Sequence, residues 1–159
     1  MKRRKIVKIA LLAVGLIVVI GGSIVYYMFN MPHKDVQGSE TDFTLSSTQI
    51  VGEYLSNPEK ANEKYLDKEG ESKIIEISGI INKISEDFNG NKVVLLKSQS
   101  DSAGVSCTFS RETNANASNL KIGDEIIIKG VIRSGASFDP DLDMYEDVIV
   151  EKCDLVTNK

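Results

Sequence analysis

Few side chains in this sequence can carry chemistry. His33 is the single imidazole, and Cys107 and Cys153 are the only thiols among 159 residues. One His and two Cys cannot assemble a Cys₄ or Cys₂His₂ site, which excludes structural zinc. A Ser-His-Asp arrangement would have to use His33. That residue sits in a short polar stretch without partner groups and reads as a solvated linker residue. No His lies in the segment that holds the cysteines, so nothing there activates a thiol as a nucleophile. No cofactor is implied.

The most polarised stretch runs from Phe138 to Asp147 (FDPDLDMYED). Asp139, Asp141 and Asp143 alternate as carboxylates do at the start of an EF-hand loop. The sixth position is then Met144 where the turn needs Gly, and the twelfth is Val150 where a bidentate Glu belongs. Calcium is therefore disfavoured, and the stretch reads as a solvated acidic loop. Phe138, Met144 and Tyr145 beside those acids suit a partner protein or a cationic ligand.

The charge distribution says where these groups work. Lys2, Arg3, Arg4, Lys5 and Lys8 precede a run from Ile9 to Phe29 that carries no charge, and no acid occurs before Asp35. About 20 apolar residues in a helix cross a hydrocarbon core of roughly 30 Å. Tyr26, Tyr27 and Phe29 close the run, as aromatic rings do at a membrane boundary. The basic stub favours a cytoplasmic N-terminus. The run exceeds a signal-peptide core and no A-x-A-like site follows it, so a retained signal anchor is favoured over cleavage. The expected organisation is a basic cytoplasmic stub (1–8), a transmembrane signal anchor (9–29), a linker (30–45) and an extracytoplasmic domain (46–157). In an envelope with two membranes that domain would be periplasmic.

Within the domain, Leu45 to Leu66 has helical periodicity: Ile50, Tyr54, Ala61 and Tyr65 share one face, which reads as core packing. Ser46 or Ser47 can cap its start, and Asn57-Pro58 splits it into two short helices or kinks one. Strands follow at 74–84, 92–97, 104–110, 125–133 and 147–156, with Asn89-Gly90 as a hairpin turn and a helical turn near 115–120. Gly79 marks a bulge or a sharp bend; if it is bulged, Ile75 and Ile77 before it are joined in the inward set by Ile80 and Ile84 after it. Residues 134–146 are read as one long loop.

Five short strands, the first bent at a glycine and with a helical insert after the third, predict a mainly β chain. The fold class is a five-stranded oligonucleotide/oligosaccharide-binding (OB) barrel preceded by one or two short helices and an N-terminal transmembrane helix. In such a barrel the third and fifth strands are neighbours. That places Cys107 and Cys153 at core positions of adjacent strands, either as a disulfide or as two buried free thiols.

Two ordered series of residues carry a resemblance. One runs from Tyr54-Leu55-Ser56-Asn57 through Ala61 and Tyr65 to Ile77-Ser78-Gly79. The other runs from Val105-Ser106-Cys107-Thr108-Phe109 through Leu120-x-x-Gly123-Asp124 and Lys129-Gly130 to Cys153-Asp154-Leu155. Over about residues 47–157 the chain resembles the tRNA anti-like OB-fold family of exported or membrane-anchored bacterial proteins. The resemblance implies an OB barrel and, by fold analogy alone, nucleic-acid binding of the anticodon-binding type.

Beyond residue 30 the chain holds 14 Lys+Arg against 23 Asp+Glu, a net of −9. Binding to a nucleic acid rests on neutralised phosphates and, for single strands, on exposed aromatic platforms. The expectation is thus a non-enzymatic, membrane-anchored binding or scaffold domain for an envelope partner or ligand. Nucleic-acid binding is the alternative, and it requires a local basic patch around Lys92, Lys97, Arg111 and Lys129.

Overall fold

The structure of the chain is a computed structural model that describes residues 15, 18–27, 35–66 and 72–156. The chain divides into two compact units, Met1–Lys34 and Asp35–Lys159. In the first, residues 18–27 are helical, and the Ser23 hydroxyl donates to the Val19 carbonyl at 2.8 Å. Most other positions of the expected 9–29 span, and His33, lie outside the described residues. Among the described residues no helix is long and apolar enough to cross a membrane.

The second unit is built on β2 (Ile74–Glu86), a strand of 13 residues. Its first half, Ile74 to Ile80, pairs antiparallel with β5 (Glu125–Ser134), and its second half, Ile81 to Glu86, with β3 (Lys92–Leu96). β3 pairs antiparallel with β4 (Val105–Phe109). β4 lies parallel to β8 (Val148–Leu155), and β8 returns antiparallel to β5. The cycle β2-β3-β4-β8-β5-β2 is a closed five-stranded barrel, which leaves none of these strands as an open edge. A 3₁₀ helix (Asn114–Asn119) follows β4. Ile75, Ile77, Ile81, Val94, Leu96, Val105, Cys107, Phe109, Ile128, Ile132, Val150 and Cys153 alternate inward and fill the interior.

The phase of β2 differs from the sequence expectation. Inward alternation runs straight through Gly79 to Ile81, Ile80 is half-exposed, and the register shifts between Ile81 and Lys83. Gly79 is not a bulge. A Cβ there would lie 2.7 Å from the Ser47 hydroxyl and 3.1 Å from Leu96 Cβ, so glycine is the residue that lets another element approach the strand.

That element is α1 (Ser47–Ser56), followed by α2 (Pro58–Tyr65). Ser46 Oγ accepts from the Gln49 amide at 3.1 Å, and Asn57 Oδ1 accepts from the Lys60 amide at 3.0 Å with Pro58 in the first turn. Each side chain takes up an amide that a helix start leaves unpaired. Two helices therefore form where the Asn57-Pro58 break falls. Ile50, Val51, Tyr54, Ala61 and Tyr65 are buried, as the helical spacing requires of a core face.

The expected linker is folded from Asp35 onward. β1 (Phe43–Ser46) adds parallel to β2 with Phe43 opposite Ile75 and Ser46 opposite Ser78, and Val36 and Leu45 are buried. Gln37 donates to the carbonyls of Lys152 (2.9 Å) and Lys129 (3.3 Å), and Lys129 Nζ donates to the carbonyls of Gln37 and Ser39. Polar composition suggested a linker because the partners of this segment, β2, Lys129 and Lys152, lie far along the chain.

The segment expected as a long loop after β5 is a hairpin, β6 (Ser137–Asp139) with β7 (Met144–Glu146). It forms a separate two-stranded sheet. Where the chain leaves β5, a Cβ on Gly135 would fall 2.0 Å from the Tyr54 ring. Gly135→Ala should therefore destabilise the domain by about 3 kcal/mol through overpacking. Gly52→Ala should stabilise it by roughly 0.5–1 kcal/mol, because a Cβ at Gly52 meets nothing within 4 Å on the α1 surface. Urea unfolding of both variants checks the contrast, and equal midpoints would refute the close approach.

Candidate binding site

OB barrels take ligands across their second and third strands and on the loops joining strands one to two and four to five. Here those parts are β3 and β4, the turn after β2, and the β6–β7 hairpin. The outward rows of the sheet are short. Ser85 faces Val93, which faces Thr108; Lys83 faces Leu95, which faces Ser106 and then Ile149. The alternate residues Val94, Leu96, Cys107 and Phe109 are buried. The outer face thus presents small hydroxyls, aliphatic side chains and one lysine, with no ring in either row.

The turn after β2 is held tightly. Asp87 Oδ1 accepts from the amides of Asn89 and Asn91, both at 2.8 Å, and its Oδ2 accepts from Asn91 Nδ2 at 2.9 Å. These bonds, led by the Asn91 side chain, hold the Asp87 carboxyl below its ordinary value. Gly90 completes the turn at φ +78°, and Asn114 braces it from the 3₁₀ helix by donating to the Gly90 carbonyl at 3.1 Å. The result is a rigid mount for Phe88, whose relative exposure is 110%. Sequence reasoning missed Phe88, because one apolar residue in a polar turn has no periodicity to mark it. The Asn-Gly that sets its position was legible.

The β6–β7 hairpin gathers the acidic-loop residues. Phe138 stands opposite Tyr145, with ring centroids 4.8 Å apart and planes at 52°. Asp139 Oδ1 accepts from the amides of Asp141 (2.8 Å) and Leu142 (3.2 Å), so this carboxylate builds the turn. Asp143 takes φ +51°, and Ser137 donates to Glu146 across the base. Phe138, Leu142, Met144 and Tyr145 are all exposed. No Lys or Arg occurs between Arg133 and Lys152. The hairpin thus carries the Phe138–Tyr145 pair on one face and Met144 on the other, with Asp141, Asp143 and Glu146 in the same element. Among the described residues, no three His, Cys, Asp or Glu side chains converge as a metal site.

A comparison with protein-family models matches residues 1–140 to the family described as tRNA_anti-like. The chain belongs to this family. No curated protein matches it. Among solved structures it is similar to a "putative nucleic acid-binding lipoprotein" from Klebsiella pneumoniae subsp. pneumoniae MGH 78578. The TM-score is 0.52 at 19% identity, covering 80% of this chain and all of the other. It is also similar to yeast Stn1 and Ten1, at a TM-score of 0.40 and 17% identity over 78% of this chain and 66% of the other. The first likeness supports the same fold.

In this tRNA_anti-like domain all three lysines named for a basic patch have partners within the domain. Lys92 pairs with Glu86 at 2.6 Å, Lys97 donates to the Ser102 carbonyl at 2.9 Å, and Lys129 is held by the Gln37–Ser39 turn. Arg111 is exposed beyond β4. Cys107 and Cys153 are free, fully buried thiols on the paired strands β4 and β8.

A concavity of the tRNA_anti-like domain, about 630 Å³, opens between α1 and α2 along Gln49, Glu53, Lys60 and Lys64. Its wall is an ion-pair cluster. Lys64 Nζ lies 2.8 Å from Glu53 Oε2, the Tyr65 hydroxyl donates to the same oxygen at 2.7 Å, and Lys64 stands 4.7 Å over the Tyr65 ring. The Lys64 and Tyr65 bonds hold the Glu53 carboxyl below its ordinary value. Burial pushes the neighbouring Tyr54 hydroxyl up to about 12. A carboxyl depressed in the folded state stabilises above its unfolded value, and that stability drains away as pH falls through the folded value. As pH falls below about 4.5, wild type should lose stability more steeply than Glu53→Gln. Thermal melts across that range check the sign, and parallel curves would remove Glu53 from the account.

Proposed function

We propose that this chain is a non-enzymatic, single-pass membrane-anchored binding protein. Its OB domain lies on the extracytoplasmic side and engages a cationic, apolar segment of a protein partner. The observation that carries the reading is the β6–β7 hairpin. Phe138 and Tyr145 stack on one face, Met144 is exposed on the other and Leu142 at the turn, and Asp141, Asp143 and Glu146 add negative charge to the same hairpin. Aromatic and methionine side chains supply contact area, while the acids steer and select a basic partner.

Anchoring is supported by the uncharged run 9–29 behind five basic residues, and by the helix over residues 18–27, whose Val18, Val19, Ile20, Ile24 and Val25 are exposed. The non-enzymatic part of the reading is supported by the thiols. Burial, followed by the adjacent Cys107 thiol, pushes the Cys153 thiol well above its ordinary value, which removes it as a nucleophile at neutral pH.

The test is site-specific photocrosslinking from position 145 in native membranes. A discrete protein adduct is expected, with recovery reduced at least about tenfold in Asp141→Lys/Asp143→Lys by charge reversal at two sites. Asp139 is left unchanged because it forms the turn. Recovery equal to wild type would refute the hairpin as the docking element.

Nucleic-acid binding is the second reading. It draws on the description of the Klebsiella neighbour and on the exposure of Phe88 on a loop that OB folds use. On this reading Phe88→Ala should weaken single-stranded RNA binding by roughly 1–3 kcal/mol, the worth of one stacked base. Fluorescence anisotropy at low and moderate salt decides it. Absence of a salt-dependent complex leaves the protein-partner reading alone.

A further inference from the structure

The two buried thiols have a use that neither reading absorbs. Cys107 on β4 pairs with Val150 of β8, and Phe109 pairs with Cys153, so the two cysteines lie diagonally on neighbouring parallel strands. The strand is not regular between them. Lys152 takes φ +55°, and this bulge turns Cys153 inward. The Cys153 sulfur lies 3.5 Å from the Val150 carbonyl oxygen, and Val150 is the strand partner of Cys107. On the opposite side β5 leaves no room. A Cβ on Gly130 would fall 2.9 Å from Cys153 Sγ and 2.6 Å from Val150 Cγ1. The space around the Cys153 sulfur is thus closed towards β5, and its direct neighbour on the β4 side is the Cys107 thiol.

We infer that Cys107 and Cys153 form an intramolecular disulfide between β4 and β8 when the barrel folds in the presence of a disulfide oxidant. Two thiols give one S–S bond. The first thiolate attacks the donor's disulfide and releases one donor thiol. The second cysteine then resolves the mixed disulfide and releases the other. The chain gives up two electrons, which reduce the donor, and its two protons are balanced by those on the two donor thiols. Both sulfurs are fully buried once the barrel closes, and exchange needs an accessible thiolate. The bond therefore forms before closure and is then shielded from reductants. In cells the oxidant is available only if the domain is extracytoplasmic, so occurrence there rests on the proposed function.

The full chain is unfolded and reduced, then refolded with glutathione disulfide, and its thiols are alkylated in denaturant before mass spectrometry. The expected product is about 2 Da lighter than the reduced chain and carries no alkyl group. Its melting temperature should fall by roughly 10 °C on reduction, a shift absent in Cys107→Ala/Cys153→Ala. Two alkyl groups, glutathione adducts or a disulfide-linked dimer as the main product would overturn the inference. Alkylation of native membranes dissolved directly in denaturant separates the two ideas. A bond trapped there supports both. Free thiols there, with the bond formed on refolding, keep the disulfide and overturn the extracytoplasmic placement.

Discussion

The constraint on which the domain depends is that one strand, β2, belongs to both halves of the barrel. Its first half is committed to β5 and its second half to β3. The register shift between Ile81 and Lys83 lets the strand change partners without turning its apolar residues to solvent. The inward side chains up to the shift, Ile75, Ile77 and Ile81, lie in a single core, and Ile84 beyond it packs against that core. Lose that switch and the sheet stays open, with one of β3 and β5 left as an unpaired edge.

Close approach is the second organising idea, and three glycines set it. Gly79 admits the start of α1, Gly130 admits the bulge of β8 that carries Cys153, and Gly135 admits the Tyr54 ring where β5 gives way to the β6–β7 hairpin. Through Gly135 the helical layer and the hairpin are in direct contact. The apolar ridge of Phe138 and Tyr145 accordingly starts from a fixed base, although it projects from the barrel as its own small sheet.

Much of this was legible in the residues. The β-branched alternation located all five barrel strands, and Asn57-Pro58 located the break between α1 and α2. The same alternation placed Cys107 and Cys153 inside on neighbouring strands. What stayed hidden depended on partners far along the chain. β1 has four residues, and its strand character comes from pairing with Ile75 to Ser78. β6 and β7 have three residues each, too few for a period, and Phe138 with Tyr145 holds them in register. Gly79 suggested a bulge because a strand glycine has two uses, and only the position of Ser47 distinguishes them. Of the candidate site residues, Asp139, Asp141 and Asp143 fall within one hairpin. Their division of labour was not visible, since Asp139 spends its carboxylate on two turn amides.

The clamp at Gln37 and Lys129 has a mechanical consequence. A pull on the chain from the N-terminal side of Asp35 reaches first the paired bonds of Gln37 and Lys129 to β5 and β8. Behind them lies the β1–β2 ladder, which is parallel. Its hydrogen bonds cross the line of force and share the load in shear, whereas a hairpin pulled from its open end would unzip bond by bond. A tug at this end is thus resisted by the barrel wall as a unit.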